Sequence, residues 1–398
     1  MTLIIKITIS RMRQATLSLV LLGAACTAPT VFPDAGAELT VTRAQVLAAG
    51  GECVLGSARD FRAAAVILER TALELAAQPS QSRLEAARAA YSAAADAWQI
   101  NESLLVGPAA ASISLGGGDL RDQIYSWPLV SRCALEEQLV SKGYETNLAG
   151  QLINRRGLYA LEYLLYFEGA DTACPASSAI VSSGSWAALS TDERAARRRA
   201  YAAAAASEVR VRADDLIKRW DPGFLSTMVN AGPGNAIFAT QHQALNAMSD
   251  ALFYVDYEVK DLKLARPIGL SQCVTPPCLE HLESQFAGRS KANIRSNLEG
   301  FRRLLIGCAP NNQGVGFETL LKAAGAQALA TRMNDRLEGA NKALDAIEEA
   351  DLGPALKADP ASVRALYDAV KGLSDVLKTE MMGVLDLELP QSLEGDND

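Results

Sequence analysis

Histidine is almost missing from this chain: 398 residues contain two, His242 and His281. The His-Glu-x-x-His helix of a zinc hydrolase does not occur, so a histidine-rich zinc site has little to be built from. The nucleophile elbow GxSxG is absent. No CxxC pair suggests tetrahedral zinc. The glycine run at Gly116, Gly117 and Gly118 is followed by no Lys-Ser/Thr and preceded by no strand pattern, which makes it a connector rather than a phosphate loop. Basic residues number 38 against 46 acidic ones, a formal net charge of -8, and this argues against a general nucleic-acid binder. Alternating runs of Val, Ile and Thr are scarce, which removes the signature of a sheet. Past the first 26 residues no apolar run is long enough to span a bilayer.

What is present is helix. Hydrophobic residues make up 49% and charged residues 21%, ample for a buried core. Phe61, Ala65, Leu68, Ala72 and Leu75 recur at helical spacing. Ser82 with Glu85, and Ser190 with Glu193, have the spacing of capping boxes. The first predicts a helix to about Leu105 and the second an Ala-rich helix to about Trp220. Between them, helices are expected over about 131–142 and 148–167. Asp221-Pro222-Gly223 is a strong break. Beyond it the pattern predicts helices over about 236–263, 289–305, 317–349 as one helix or a broken pair, and 360–382, with Asp359 as N-cap and Pro360 as first helical residue. The expectation is an all-α protein of two tandem helical bundles. Its divisions are a leader (1–26), a linker (27–45), a first bundle (46–221) and a second (222–392).

The leader carries Arg11 and Arg13, a short apolar run from Leu17 to Leu22, and then Gly23, Ala24, Ala25 and Cys26. This order predicts export, with lipid on Cys26 as in a bacterial lipoprotein, or else ordinary signal cleavage. It implies the periplasm or envelope of a Gram-negative bacterium and membrane attachment only through a lipid anchor. Six cysteines remain, an even count that suits disulfides outside the cytoplasm. Six allow 15 pairings. Cys273 and Cys278 flank a Thr-Pro-Pro turn, Cys133 and Cys174 bracket the segment around 154–167, and Cys53 and Cys308 remain.

That segment runs Asn-Arg-Arg-Gly-Leu-Tyr-Ala-Leu-Glu-Tyr-Leu-Leu-Tyr-Phe over residues 154–167. It resembles the signature of the imelysin-like family, also called the M75 peptidases, in which GxHxxE is followed by Tyr-Leu-Leu. Gly157 and Glu162 match, and Tyr159 stands at the histidine position. Trp98, Glu102 and Gly107-Pro108, then Trp127-Pro128, then Asp261 to Gly269, then Glu283-Ser284 with Ser290, Ile294 and Asn297-Leu298, resemble further family segments in the same order. The resemblance implies a helical envelope protein of metal handling, with iron as the metal and an envelope transport partner. It also carries the older implication of a metal-dependent peptidase, and the Tyr159 substitution leaves open a relic motif that binds no metal.

Tyr159 and Glu162 lie three apart and share a helix face. A phenol binds metal well only as phenolate, which a hard ion such as ferric iron favours. One face supplies two ligands, so Glu102 and Glu283 are the expected contributors from elsewhere in the fold. The bland alternatives are a core aromatic for Tyr159, and for Glu162 a buried acid paired with Arg155 or Arg156. His242 is expected to pack or cap, and His281 to be a lone loop histidine.

Overall fold

The computed structural model describes residues 41–309 and 314–390. The leader and Cys26 lie outside the described residues. Helix α1 (Arg43–Ala77) begins at Thr42, whose hydroxyl accepts from the Gln45 N–H while the Gln45 side chain accepts from the Thr42 N–H. Helix α2 (Gln81–Glu102) is capped by Ser80, two residues earlier than the Ser82 expected. Pro79 already turns the chain there, so Ser80 is free to accept from the Arg83 N–H, and Glu85 takes a hydrogen bond from the Gln81 side chain instead.

Helix α3 (Arg132–Ser141) is capped by Ser131. The continuous helix expected over 148–167 is shorter in the structure. Two isolated turns precede it, and helix α4 runs only over Gly157–Tyr166. The reason is local. Arg156 is fully extended (φ -147°, ψ -174°) and Gly157 has φ +84°, so no helix can pass through them. Helix α5 (Thr191–Arg219) opens on the Ser190–Glu193 capping box as expected.

Helix α6 (Gln241–Ser249) is capped by Thr240 and runs on through a 3₁₀ turn (Asp250–Phe253) into a π-helical stretch (Val255–Ala265). Helices α7 (Ser290–Ile306), α8 (Phe317–Ala323) and α9 (Gln327–Asp345) follow, the last two parted at Gly325 with φ +75°. Helix α10 (Pro360–Val376) has Asp359 as its cap and proline at N1, then continues through a π turn to Leu385.

No strand occurs among the described residues. One set of helices packs α1 against α2 and α5, with α4 on α5; a second packs α10 against α9 and the π-helical stretch. Helix α2 belongs to both settings, because it lies against α1 and α4 and also against α7. Helix α1 contacts α5 and, beyond Asp221–Pro222, also Leu225–Val229 and α6. The non-helical Asp221 (φ -112°, ψ 117°) marks the break expected at that point.

Three disulfides pair Cys53 with Cys308, Cys133 with Cys174, and Cys273 with Cys278. The first ties α1 to the chain leaving α7, and the second ties α3 to the loop after α4. Among the described residues no helix is long and apolar enough to cross a membrane.

Candidate functional site at the motif helix

Gly157 fixes where α4 begins. A Cβ there would stand 2.7 Å from the Ile124 carbonyl oxygen, and φ +84° already belongs to glycine. The helix therefore starts hard against the Leu120–Ile124 turn. One and a half turns later Glu162 is fully buried and faces the 283–287 segment.

Both Glu162 oxygens are occupied. Oε1 accepts from the backbone N–H of Phe286 (2.8 Å) and of Ala287 (3.1 Å). Oε2 accepts from Ser284 Oγ (2.9 Å) and Tyr91 Oη (3.2 Å). Burial pushes its pKa up to about 7, against the downward pull of those four hydrogen bonds. No cation among the described residues forms an ion pair with it. Arg155 and Arg156, the partners considered from sequence, bind Glu137 and Glu208 instead. The acid of the motif thus works as a clamp on the 284–287 loop.

The other two acids lie in the same buried polar region with different partners. Glu102 accepts from Trp98 Nε1 (2.6 Å) and Tyr254 Oη (2.8 Å) and is forked by Arg121. Glu283 accepts at Oε1 from Gln99 Nε2 (2.9 Å) and Tyr125 Oη (2.7 Å), and pairs with Lys263 Nζ at 2.9 Å. Lys263, itself buried, also reaches Gln99 Oε1 and Asn297 Oδ1. Burial, and then the neighbouring carboxylates, push the phenols of Tyr91, Tyr125 and Tyr254 well up, so each stays a donor.

Tyr159 is different. Its ring packs edge-on against Tyr125, its hydroxyl makes no hydrogen bond to any described residue, and it lines a cavity of about 470 Å³. Trp127, Arg132, Tyr163, Arg266, His281 and Phe286 share that lining. Two of these, His281 and Phe286, come from the loop that includes the residues Glu162 clamps. Burial, with the charges of Glu162 and Glu283, holds the Tyr159 phenol protonated.

These arrangements bear on metal binding. Glu102 and Glu283 are charge-neutralised by Arg121 and Lys263, the four lone-pair positions of Glu162 are filled, and Tyr159 is a neutral phenol. As arranged, the four side chains expected around one ion do not fit a bare resident cation. The only close group of three His, Cys or acidic side chains among the described residues is Cys133, Glu137 and Cys174, and its two sulfurs are joined in a disulfide.

A second cavity, of about 520 Å³, includes Asp250, Glu258 and Glu388 but no residue of the Gly157–Glu162 motif. Burial pushes Glu258 up to about 8 and Asp250 to about 6.

Sequence reasoning missed Tyr91, Arg121, Tyr254, Lys263 and Arg266. A usable signal existed for the last two, since 261–269 was one of the matched segments and holds both cations. Their placement depends on the π-helical stretch, whose five-residue hydrogen bond from the Arg266 N–H to the Asp261 carbonyl shifts the face expected from a 3.6 period.

The sequence model of the family described as Imelysin, the M75 peptidases, matches residues 54–379. No curated protein matches this chain. Among solved structures, a protein described as an iron-regulated protein A precursor from Parabacteroides distasonis is similar at 16% identity and TM-score 0.66, covering 87% of this chain and 95% of its own. An imelysin-like protein from Psychrobacter arcticus is similar at 19% identity and TM-score 0.63, covering 88% and 98%. At these identities the likeness to the two structures is one of fold.

Proposed function

The chain belongs to the imelysin family, and from that membership we propose that it is a ligand-binding protein of the cell envelope that serves iron handling, with the cavity beside Tyr159 as its binding site. The observation that carries this reading is the division of labour in the motif. Gly157 and Glu162 are consumed in building the cavity wall, while the residue between them, Tyr159, lines the space with a hydroxyl that has no partner among the described residues. Iron enters as cargo. The leader and Cys26 would place the protein in the envelope, and a transport partner there would receive the cargo.

A peptidase reading finds less support. Tyr159 replaces the motif imidazole, His242 sits on α6, and His281 donates its Nε2–H to the Gln272 carbonyl at 2.9 Å. A third reading, an envelope protein with a relic motif, is favoured by the four hydrogen bonds that fill the Glu162 oxygens and by the pairing of Glu102 with Arg121 and of Glu283 with Lys263.

Elemental analysis of protein purified from its native envelope separates these readings. Iron at a stoichiometric fraction, together with a growth defect of the deletion strain in iron-poor medium, is the expected result. Absence of both leaves the relic reading standing and removes this one. Mass spectrometry of the same sample should find the chain beginning at a lipid-modified Cys26.

A further inference from the structure

Resting on the reading that the Tyr159 cavity is the binding site, we propose that its ligand is an anionic, carboxylate-bearing iron chelate rather than a bare ion, with Arg266 as the residue that reads the carboxylate. The argument begins with what is left over in the lining. Arg132 is engaged, with Nε on Glu136 Oε1 (2.8 Å), Nη2 on Asp171 Oδ2 (2.7 Å), and its guanidinium over the Phe167 ring. The Arg266 guanidinium has no hydrogen bond and no carboxylate partner among the described residues, although its backbone is fixed by the N–H bond to the Asp261 carbonyl.

A half-buried guanidinium with five donors and no acceptor favours a planar oxyanion held through two parallel bonds. Tyr159, kept protonated, adds a neutral donor, and Trp127, Tyr163 and Phe286 supply flat apolar walls. Against these, Glu280 is the single acid in the lining. A bare cation would meet two guanidinium groups, Arg132 and Arg266, and a phenol, with only Glu280 and His281 to set against them. A ferric ion wrapped by hydroxycarboxylates would instead present the negative oxygens that these groups bind, and about 470 Å³ is the scale of a small-molecule site.

The test is equilibrium dialysis of the full mature chain against four probes: ferric citrate, citrate alone, ferrous iron under reducing conditions, and inorganic phosphate. Parent protein, Arg266→Gln and Arg266→Lys are compared, with thermal unfolding as the check that all three are folded. The expected result is retention of ferric citrate by the parent, weakened roughly 10- to 100-fold in Arg266→Gln as one charge-assisted pair is lost. Lysine should recover only part of that, because an ammonium lacks the fork. Binding of ferrous iron that is indifferent to Arg266, with no uptake of ferric citrate, overturns this inference and leaves the iron reading intact. Binding of citrate or phosphate through Arg266 without any preference for the ferric complex keeps the anion site and overturns its iron cargo. No binding of any probe overturns both.

Discussion

Replacing Glu162 by glutamine should flatten part of the pH dependence of folding. The carboxyl is buried, and its pKa rises from the ordinary 4.5 to about 7 because desolvation outweighs the four hydrogen bonds it accepts. Between those two values the unfolded chain has released its proton while the folded chain still holds it. The folded state binds more protons, so stability falls as pH rises through this window and is level above it. At about 1.4 kcal/mol per pH unit the loss by pH 8 is about 3 kcal/mol. Glutamine keeps the shape. Its carbonyl can take the Phe286 and Ala287 N–H groups, and its amide can donate to the Ser284 and Tyr91 hydroxyls once those turn to accept. Urea unfolding followed by circular dichroism at pH 5, 6, 7 and 8 measures both proteins. Asp250 and Glu258 titrate in both, so the difference between the two curves isolates Glu162. Relative to the parent, Glu162→Gln should gain about 2.5 kcal/mol from pH 5 to pH 8, because part of the loss has already occurred at pH 5. Parallel curves would falsify the assignment of an uncompensated buried acid.

Gly157→Ala should cost about 2 kcal/mol or more, read as a lowered melting temperature, because a Cβ meets the Ile124 carbonyl and φ +84° strains any side chain. Lys263→Met leaves Glu283 as a buried charge with only neutral donors, and chemical denaturation should register a loss of about 3–5 kcal/mol. Joint replacement of Cys133 and Cys174 by alanine removes a closure of 41 residues, and loop entropy puts the loss near 4 kcal/mol by the same assay.

The helices were legible wherever one residue type decides the matter. The Ser190–Glu193 box and the Asp359–Pro360 pair stand where spacing put them, since each satisfies end groups of a helix with its own side chains. The break at Gly157 was not legible as a break. Its cause is the approach of Ile124, more than thirty residues away, which no local pattern records. The same limit governs the site. Periodicity put Tyr159 and Glu162 on one face, yet their roles diverge because of what stands opposite. Glu162 meets backbone N–H groups of a loop over a hundred residues on, and Tyr159 packs on Tyr125 at the wall of a cavity. The partners of Glu102 and Glu283 come from α2, the Leu120–Tyr125 segment and the π-helical stretch, so their neutralisation by Arg121 and Lys263 appears only once three segments are assembled.

If scaffold and chemistry are separate within the motif, exchanging the residue between Gly157 and Glu162 should change binding and spare the fold. Tyr159→His restores the family pattern. The Tyr159 hydroxyl holds no partner among the described residues, so its removal orphans no donor or acceptor there, and the ring loses only part of its edge contact with Tyr125 at 6.3 Å. The stability change should stay within about 1–2 kcal/mol, a modest loss of aromatic packing. Binding should respond far more. An imidazole in the cavity offers a nitrogen ligand that suits divalent ions such as zinc and copper, where a phenol held protonated offers none. Titrating ferrous, zinc and cupric ions into parent and variant should therefore show divalent-ion binding that appears or strengthens only in Tyr159→His, while the Glu162 clamp keeps the melting temperature near that of the parent. A variant that unfolds would show that Tyr159 belongs to the scaffold after all, and one that folds but binds these ions no better than the parent would show that the cavity does not present residue 159 to a ligand.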